Sequence, residues 1–352
     1  MTGGTMTDDP TTGEHLSGGP TTGGGLVRGI ALVTRHEFRV RLRTGRWRWL
    51  LGAWVAVIAV FTGLLHSALA VTETEPGIPL FGGLMLFVLA LVLIISPALT
   101  AQSINGDRER GTLATLQVTR LSAAQIALGK LLAGWGVGLT ALVLTVPFVG
   151  WAMLQGGVGG LRALVVMVVV ALLIGVVCAV SQALSALVAR SITSALLSYV
   201  TVFALTVGTL VAFGLALPLT AEKVQQSTFD GQEYTTSRVR TERVWWLLAP
   251  NPFAVLADAA PRLPRPVDPY TGQPEPVPFD PLGEVGHEVR RLRVPSTPGG
   301  PEAPVPVPET ESGPVWPYGL AFDLLLGVGA GWLTVRRLRT PARTLAKGVR
   351  VA

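Results

Sequence analysis

The sequence predicts an all-α integral membrane protein with six transmembrane helices and with both termini on the cytoplasmic side. Two features of composition indicate this class. The mean hydropathy is +0.50 and only 14% of the residues are charged, whereas a soluble domain has about 25%. The third observation is a set of apolar runs long enough to cross a bilayer, which takes about 20 residues. These runs are residues 49–69, 78–100, 127–151, 164–188, 194–217 and 315–335.

Two segments of different character precede the first run. Residues 1–24 are rich in Thr and Gly and have neither the basic start nor the apolar core of a signal peptide, so we expect a flexible cytoplasmic tail. Residues 25–46 interleave apolar residues with arginines such as Arg28, Arg35 and Arg39. We predict an amphipathic helix in the membrane interface, with the arginine stems reaching toward the headgroups. The alternative is a plain basic flank of the first span.

The charges of the short loops predict the orientation, because loops rich in Lys and Arg stay in the cytoplasm. The link at 72–77 has two glutamates and no cation, so we place it outside. The loop at 105–130, the tight turn at Arg190 and the basic tail at 336–352 are placed inside. This divides the chain into spans 1–5 within 47–218, an extracytoplasmic outer segment at 219–314, span 6 at 315–335 and a cytoplasmic tail.

The outer segment is dominated by proline. Of the 26 prolines of the chain, 18 fall between Pro250 and Pro317, a density that favours extended conformations and opposes a packed core. One part, from Val244 to Leu256, is apolar and aromatic. We predict either an interfacial or re-entrant piece followed by a short helix, or a small hydrophobic cluster within the outer segment.

The longest charged interruption among the first five runs lies between spans 2 and 3, and its loop, 105–126, carries signals of local structure. Gly111 breaks the chain just after Glu109 and Arg110, and Thr112 can cap a short helix whose apolar residues are Leu113 and Leu116. Ser122 and Gln125 have the spacing of a capping box in front of the next span. The pattern predicts a short helix lying across the cytoplasmic face of the membrane, followed by a capped re-entry.

The same residues resemble the first cytoplasmic loop of permease subunits of bacterial ABC transporters of the type-2 exporter class. The resemblance rests on Glu109-Arg110-Gly111-Thr112-Leu113 and then on Leu116, Ser122, Ile126 and Gly129-Lys130. Ala114 and Arg120 depart from the family pattern, which often has an acidic residue and a proline there.

This resemblance implies a coupling helix that docks on a separate ATPase subunit. The implied coupling residues are Glu109, Arg110, Gly111, Thr112, Leu113 and Leu116. It also implies a homodimer or a pair with a related permease, export as the direction of transport, and the bacterial cytoplasmic membrane as the location.

Residues for catalysis or for cofactor binding are not expected in this chain. Gly129-Lys130 lacks the earlier glycine and the following Ser or Thr of a phosphate-binding loop, so ATP and Mg²⁺ are expected on the partner subunit. The four histidines are scattered and form no metal-ligand spacing. The net charge of +6 lies largely beside the apolar runs, so we expect contact with the lipid bilayer and no nucleic-acid partner.

Two sets of polar residues inside the spans are candidates for the transport pathway. Asp323 is the only acid well inside an apolar run, and a buried charge in a membrane is a functional candidate because it is costly; alternatively, it reaches a wet outer vestibule. Ser181, Gln182 and Ser185 share one face of the fourth run. Such stripes either line a pathway or pack helices together.

Two other classes of function compete with a permease. One is a secondary carrier or channel that needs no ATPase, against which stand the scarcity of charges within the spans and the lack of a recognisable internal repeat. The other is a structural or signalling membrane protein that acts through its outer segment. The capped helix predicted in the 105–130 loop discriminates, since neither alternative requires it.

Overall fold

The computed structural model describes residues 23–43, 45–71, 76–109, 111, 121–227, 233–263, 278–294 and 313–339. Six helices in these ranges are long and apolar enough to cross a membrane. They coincide with the six apolar runs of the sequence, so the prediction of an all-α membrane protein with six spans is confirmed. The predicted helix at 112–120 lies outside the described residues.

The helices follow one another along the chain with short connections up to the fifth span. Before the first span lies α1 (Gly23–Arg43), and the first four spans are α2 (Gly45–Leu69), α3 (Gly77–Thr100), α5 (Ala123–Leu154) and α6 (Gly160–Leu187), with the short α4 (Asn105–Glu109) after α3. The fifth span consists of α7 (Ser191–Phe203), a π-helical turn (Ala204–Gly208) and α8 (Thr209–Ala216). The sixth span is α11 (Trp316–Arg339).

The start of α5 has the capping geometry that the sequence predicts. Ser122 accepts a hydrogen bond on its hydroxyl from the Gln125 backbone N–H (3.3 Å), and Gln125 accepts one on Oε1 from the Ser122 N–H (2.7 Å). Both halves of the capping box are therefore present. Because this cap fixes the first turn, α5 begins four residues before the apolar run that predicted it.

The core of the bundle lies between α3 and α6, which are the most buried spans. Leu84, Leu89 and Ile174 are among the fully buried side chains there. The fifth span instead leaves large apolar side chains exposed along most of its length, as does α2. In water such surfaces would be unfavourable, whereas lipid chains can cover them.

The predicted helix before the first span is present as α1, and it lies alongside the first turns of α5. Gln125 donates from Nε2 to the Gly25 carbonyl (2.9 Å), and Thr34 donates to the Gly129 carbonyl (3.2 Å). A Cβ on Gly129 would lie 2.6 Å from Cβ of Val33, so only glycine permits this approach. Later residues of α1 contact later residues of α5, which means that the two helices run in the same direction.

The middle of the fifth span is held by a residue from the outer segment. The π-helical turn contains Thr206, whose backbone carbonyl accepts a hydrogen bond from Nδ2 of Asn251 (2.7 Å). The same amide nitrogen donates to the Thr209 hydroxyl (2.9 Å). Asn251 also accepts on Oδ1 from the Phe253 N–H and so caps the next helix. A turn that breaks the α-helical bonding pattern is thereby stabilised.

The described part of the outer segment is folded, whereas 11 of the 18 prolines between Pro250 and Pro317 lie outside the described residues, where the expectation of extended chain stays a prediction. The described part contains an antiparallel hairpin of β1 (Ala221–Ser227) and β2 (Glu233–Val239), in which Ala221 pairs with Val239. Two helices follow, α9 (Pro252–Ala259) and α10 (Pro281–Arg291). Each begins with proline at a first-turn position, where proline favours helix because it has no N–H to leave unpaired. The hairpin also adds a short β element to an otherwise helical fold.

Both interpretations of the apolar stretch at 244–256 describe part of what is found. Leu248, Ala249 and Ala254 form a small cluster with Val289 and Val315. Val255 and Leu256, on the other face of α9, belong to the main core between the spans. The stretch therefore joins the outer segment to the bundle rather than lying beside it.

Buried ionic contacts fasten the outer segment to the spans. The Asp258 carboxylate accepts hydrogen bonds on Oδ2 from the backbone N–H groups of Val315 (2.6 Å) and Trp316 (2.7 Å), and it pairs with Arg290. It thus joins α9 and α10 to the N-terminus of the sixth span. Arg162, at the start of α6, donates from Nη2 to both carboxylate oxygens of Asp280 at 2.6 Å. These long-range pairs explain how α9 and α10 pack against the spans.

Replacing Asp258 by Ala is expected to destabilise the outer segment by about 3 kcal/mol, because it leaves a largely buried Arg290 guanidinium without its anion. The measurement is the thermal unfolding midpoint in detergent together with the protease sensitivity of the outer segment. Glu288→Gln is the matched control, since Glu288 pairs with Arg291 at the exposed surface, where a pair contributes about 0–1 kcal/mol. Equal effects of the two substitutions would contradict the role given to Asp258.

Candidate functional site

The candidate site is the end of the second span, where the chain leaves the bundle toward the predicted coupling helix. We name residues 101–109 the junction segment; it consists of four turn residues and α4. Its polar groups contact three other spans, and through Lys130 it is linked to α1. The segment that follows, 112–120, lies outside the described residues, as does Arg110, so the predicted coupling residues Arg110, Thr112, Leu113 and Leu116 are not described here.

The predicted break in the chain after Glu109 is present. The helix α4 ends at Glu109, and Gly111 has a φ of 70°, in the left-handed region that favours glycine. The Gly111 N–H donates to the Arg108 carbonyl (3.2 Å). The direction in which the chain leaves α4 is therefore set by a glycine-dependent turn.

The fourth span holds the beginning of α4 through one hydroxyl group. Ser185 accepts hydrogen bonds on Oγ from the backbone N–H groups of Ile104 (3.2 Å) and Asn105 (3.1 Å). Ser185 and both residues it contacts are fully buried. The first N–H groups of a helix have no acceptor within the helix. The Ser185 hydroxyl on α6 provides an acceptor for two N–H groups at the start of α4.

The fifth span contacts both ends of the junction segment. Ser194 donates its hydroxyl to the Ala101 carbonyl (2.9 Å), which lies just after the end of α3. At the other end, Glu109 accepts on Oε1 from the Ser191 hydroxyl (2.5 Å) and from the Ser191 N–H (3.4 Å). Ser191 is the first residue of α7, so the Glu109 carboxylate lies at a helix N-terminus, where negative charge is favourable.

The third span and α1 meet the junction segment in a buried ion cluster. The Lys130 side chain is only 3% exposed, and its ammonium group lies 2.5 Å from Oδ2 of Asp107 on α4 and also pairs with Glu37 on α1. A cation buried this deeply is unfavourable unless it is paired. The two carboxylates therefore fix α1, α4 and α5 relative to one another.

These contacts make the junction segment a mechanical link. Both of its ends are bonded to α7, the start of α4 to α6 and the middle of α4 to α5, and most of the bonding groups are buried. A displacement of the chain at Glu109 cannot be absorbed locally without breaking buried polar contacts, each of which would leave an unpaired group at a cost of about 1–3 kcal/mol. The segment is therefore suited to pass a displacement on to spans 3, 4 and 5 and to α1.

Of the polar residues predicted on the fourth span, two have partners within the bundle. Gln182 donates from Nε2 to the Ala127 carbonyl of the third span (2.8 Å), and Ser185 belongs to the junction. Ser181 is buried as well. These positions favour the packing interpretation within a single chain. The structure brings Ser185 and Glu109 to the same junction, although no sequence pattern groups them.

Asp323 lies elsewhere and in different surroundings. It is 1% exposed, and neither carboxylate oxygen has a hydrogen-bond partner among the described residues. On the same face of α11, one turn to either side, Gly319 packs against Val255 and Gly327 against Val176. The side chain is thus enclosed by helix packing rather than open to a wet vestibule. About 16 Å of helix separates it from Thr334, which lies beside Gln182.

Several residues of the junction escaped the sequence analysis. Lys130 enters the sequence prediction only through the Gly129-Lys130 pair of the family resemblance and of the excluded phosphate-binding loop, and Glu37, Asp107, Ser191 and Ser194 are not predicted as site residues. One signal was available for the ion cluster: Lys130 follows the capped start of an apolar helix, where a lone cation needs an acid nearby. The sequence does not say which acid, because Glu37 lies 93 residues away.

The fold and the junction segment together define a multi-pass membrane protein. Its spans are bonded to the segment that connects the second span to the third. A family model described as ABC-2 family transporter protein matches residues 31–253, from α1 to α9 and thus more than half of the chain. The chain belongs to this family and is a membrane permease of an ABC transporter. Comparison with curated proteins gives no match.

Replacing Lys130 by Met is expected to lower the stability by about 3 kcal/mol, because two partly buried carboxylates lose their common cation. The measurement is the thermal unfolding midpoint of the purified chain in detergent. Neutralising the partners as well, in Lys130→Met with Glu37→Gln and Asp107→Asn, should recover most of the loss if charge pairing is its cause. Failure of the triple variant to recover would assign the loss to packing instead.

Proposed function

We propose that the chain is the membrane subunit of an ATP-driven exporter of the bacterial cytoplasmic membrane, which forms the translocation pathway and receives its motion from a separate ATPase. Membership of the ABC-2 family supports this proposal, because permeases of the family generally work with an ABC ATPase. The six spans supply the pathway. We expect two permease chains in the complex, either identical or related, each beside one ATPase chain.

One observation carries the proposal: the junction segment is bonded to spans 3, 4 and 5 and leads directly into the predicted coupling helix at 112–120. Closure of the ATPase on ATP would push this helix, with Leu113 and Leu116 as the apolar anchors in a groove of the ATPase. Glu109 and Gly111 connect the helix to the junction. The push would then change the packing of the spans between two discrete arrangements.

The division of chemistry follows from this arrangement. ATP and Mg²⁺ bind to the ATPase, and hydrolysis takes place there, whereas this chain breaks no bond. Among the pathway candidates, Asp323 has no hydrogen-bond partner within the described residues, so we propose it as the group that a change of packing exposes to the pathway. Gln182, Ser181 and Ser185 would contribute to the pathway only after their present packing is released.

Replacing Leu113 and Leu116 by Asp is expected to abolish co-purification of an ATPase from native membranes, because two charges would have to enter an apolar groove. The measurement is mild-detergent purification, identification of the accompanying chains and assay of their ATPase activity. Trp246→Asp with Phe279→Asp is the matched control, since both residues are exposed on the outer segment. If no ATPase accompanies the wild type, the proposal fails, and a carrier or a scaffold that needs no ATPase becomes the better explanation.

Replacing Ser185 and Ser194 by Ala is expected to leave the ATPase bound and to uncouple it. Each substitution removes a buried contact of the junction, about 1 kcal/mol or more, so the ratio of transport to ATP hydrolysis should fall about fivefold or more. Ser67→Ala is the control, because its hydroxyl bonds only within its own helix at the surface. Loss of ATPase binding in the double variant would contradict a role in transmission alone.

A further inference from the structure

The surface of α1 that faces away from the bundle has an unusual distribution of charge. Arg28, Arg35 and Arg39 are separated by seven and four residues, so they lie on one face of the helix over about 16 Å. All three are exposed. We name them the arginine stripe. The opposite face of α1, which includes Gly29 and Val33, packs against α5.

The positive charge of the arginine stripe is not balanced by the described part of the protein. The only acid of α1, Glu37, pairs with Lys130 on the packed side. The three arginines make no ion pair with any residue in the described ranges. Three guanidinium groups held in a row by a helix therefore present donors to whatever lies outside the bundle.

The neighbours of the arginine stripe indicate a partner that is apolar as well as anionic. Ala31, Leu32 and His36 line a shallow groove together with the three arginines. Leu32 is 62% exposed and Val27, nearby, is 65% exposed. A helix face that alternates arginine with exposed apolar residues is typical of binding at the surface of a lipid bilayer.

The connection to the first span places the arginine stripe near the membrane surface. Only residue 44 separates α1 from α2, and Trp49 in the first turns of α2 is 80% exposed. Tryptophan is enriched at the level of the headgroups. Arg39 precedes Trp49 by ten residues, so at least this end of the stripe lies within reach of lipid phosphates.

We propose that the arginine stripe binds the phosphate groups of anionic phospholipids in the leaflet that Trp49 marks. Arg35 and Arg39 are one turn apart, so their guanidinium groups can contact the same phosphate. Arg28 lies about 10 Å further from Trp49 along the helix and would add to the attraction of the same anionic surface. The binding requires neither an ATPase nor transport, so it stands independently of the proposed function.

Lipid bound at this surface would act on the junction. The helix α1 is tied through Glu37 and Lys130 to Asp107 of the junction segment. An anionic headgroup that holds α1 in place would therefore also favour the present position of α4.

The test measures the affinity of the delipidated full chain in detergent for phosphatidylglycerol, by native mass spectrometry. Arg28→Gln with Arg35→Gln and Arg39→Gln is expected to weaken the binding about tenfold or more, given that each basic residue near an anionic surface contributes about a factor of five. Binding of phosphatidylcholine should not change. Replacing the three arginines by Lys, which keeps the charge, should retain most of the affinity.

The matched control removes the same charge from another basic cluster, by Arg336→Gln with Arg337→Gln and Arg339→Gln at the end of α11. The proposal is overturned if the control weakens phosphatidylglycerol binding as much as the stripe variant does, since the effect would then be one of net charge. It is also overturned if the stripe variant keeps its lipid but loses an ATPase, which would make this face a protein-docking surface. Unfolding midpoints check that both variants are folded.

Discussion

The position of the ammonium group of Lys130 is the constraint on which the arrangement of α1, α4 and α5 depends. Removing such a group from water costs several kcal/mol, and only the close approach of Glu37 and Asp107 offsets that cost. Those two carboxylates come from α1 and α4, and α1 is also held against α5 by the contacts of Gln125 and Gly129. The ion cluster therefore links the place where the chain leaves the second span to the helix that precedes the first.

A second constraint acts at both ends of the bundle: the ends of helices need partners for their backbone groups. At the junction the partners are the hydroxyl groups of Ser185 and Ser194, and at the outer side they are the side chains of Asn251 and Asp258. Except for Asn251, which is the N-cap residue of α9 itself, each capping group belongs to a different element from the helix that it caps. Short, weak elements such as α4 and α9 are thereby made part of the bundle.

The sequence was sufficient for features that depend on local chemistry. Apolar length located the six spans, the Ser122–Gln125 spacing located the start of α5, and Gly111 located the break after α4. It was insufficient for features that depend on contacts between residues far apart in the chain. The pairs between Arg162 and Asp280 and between Asp258 and Arg290 join residues 118 and 32 positions apart, and nothing near either residue indicates its partner. Proline content has the same limit, because it describes the local chain and not the contacts that hold α9 and α10.

The contacts within the candidate site were less predictable from the sequence than the fold. Ser185 stood out for its spacing along the fourth span, but its role depends on two backbone N–H groups that become accessible only where the second span ends. Glu109 stood out within a motif, whereas its contact with Ser191 is visible only once the second and fifth spans lie side by side. Motifs and periodicity indicate which residues are functional candidates, but they do not indicate which residues those candidates contact.

The π-helical turn in the fifth span has a consequence for the shape of the surface that this span presents. Such a turn accommodates one residue more than an α-helical turn, and one residue corresponds to about 100° of rotation about the helix axis. The apolar ridge of α8 is therefore rotated out of line with that of α7. A neighbouring helix whose side chains fit the ridge of α7 does not fit the rotated ridge of α8. The two halves of the fifth span are therefore suited to two different neighbours.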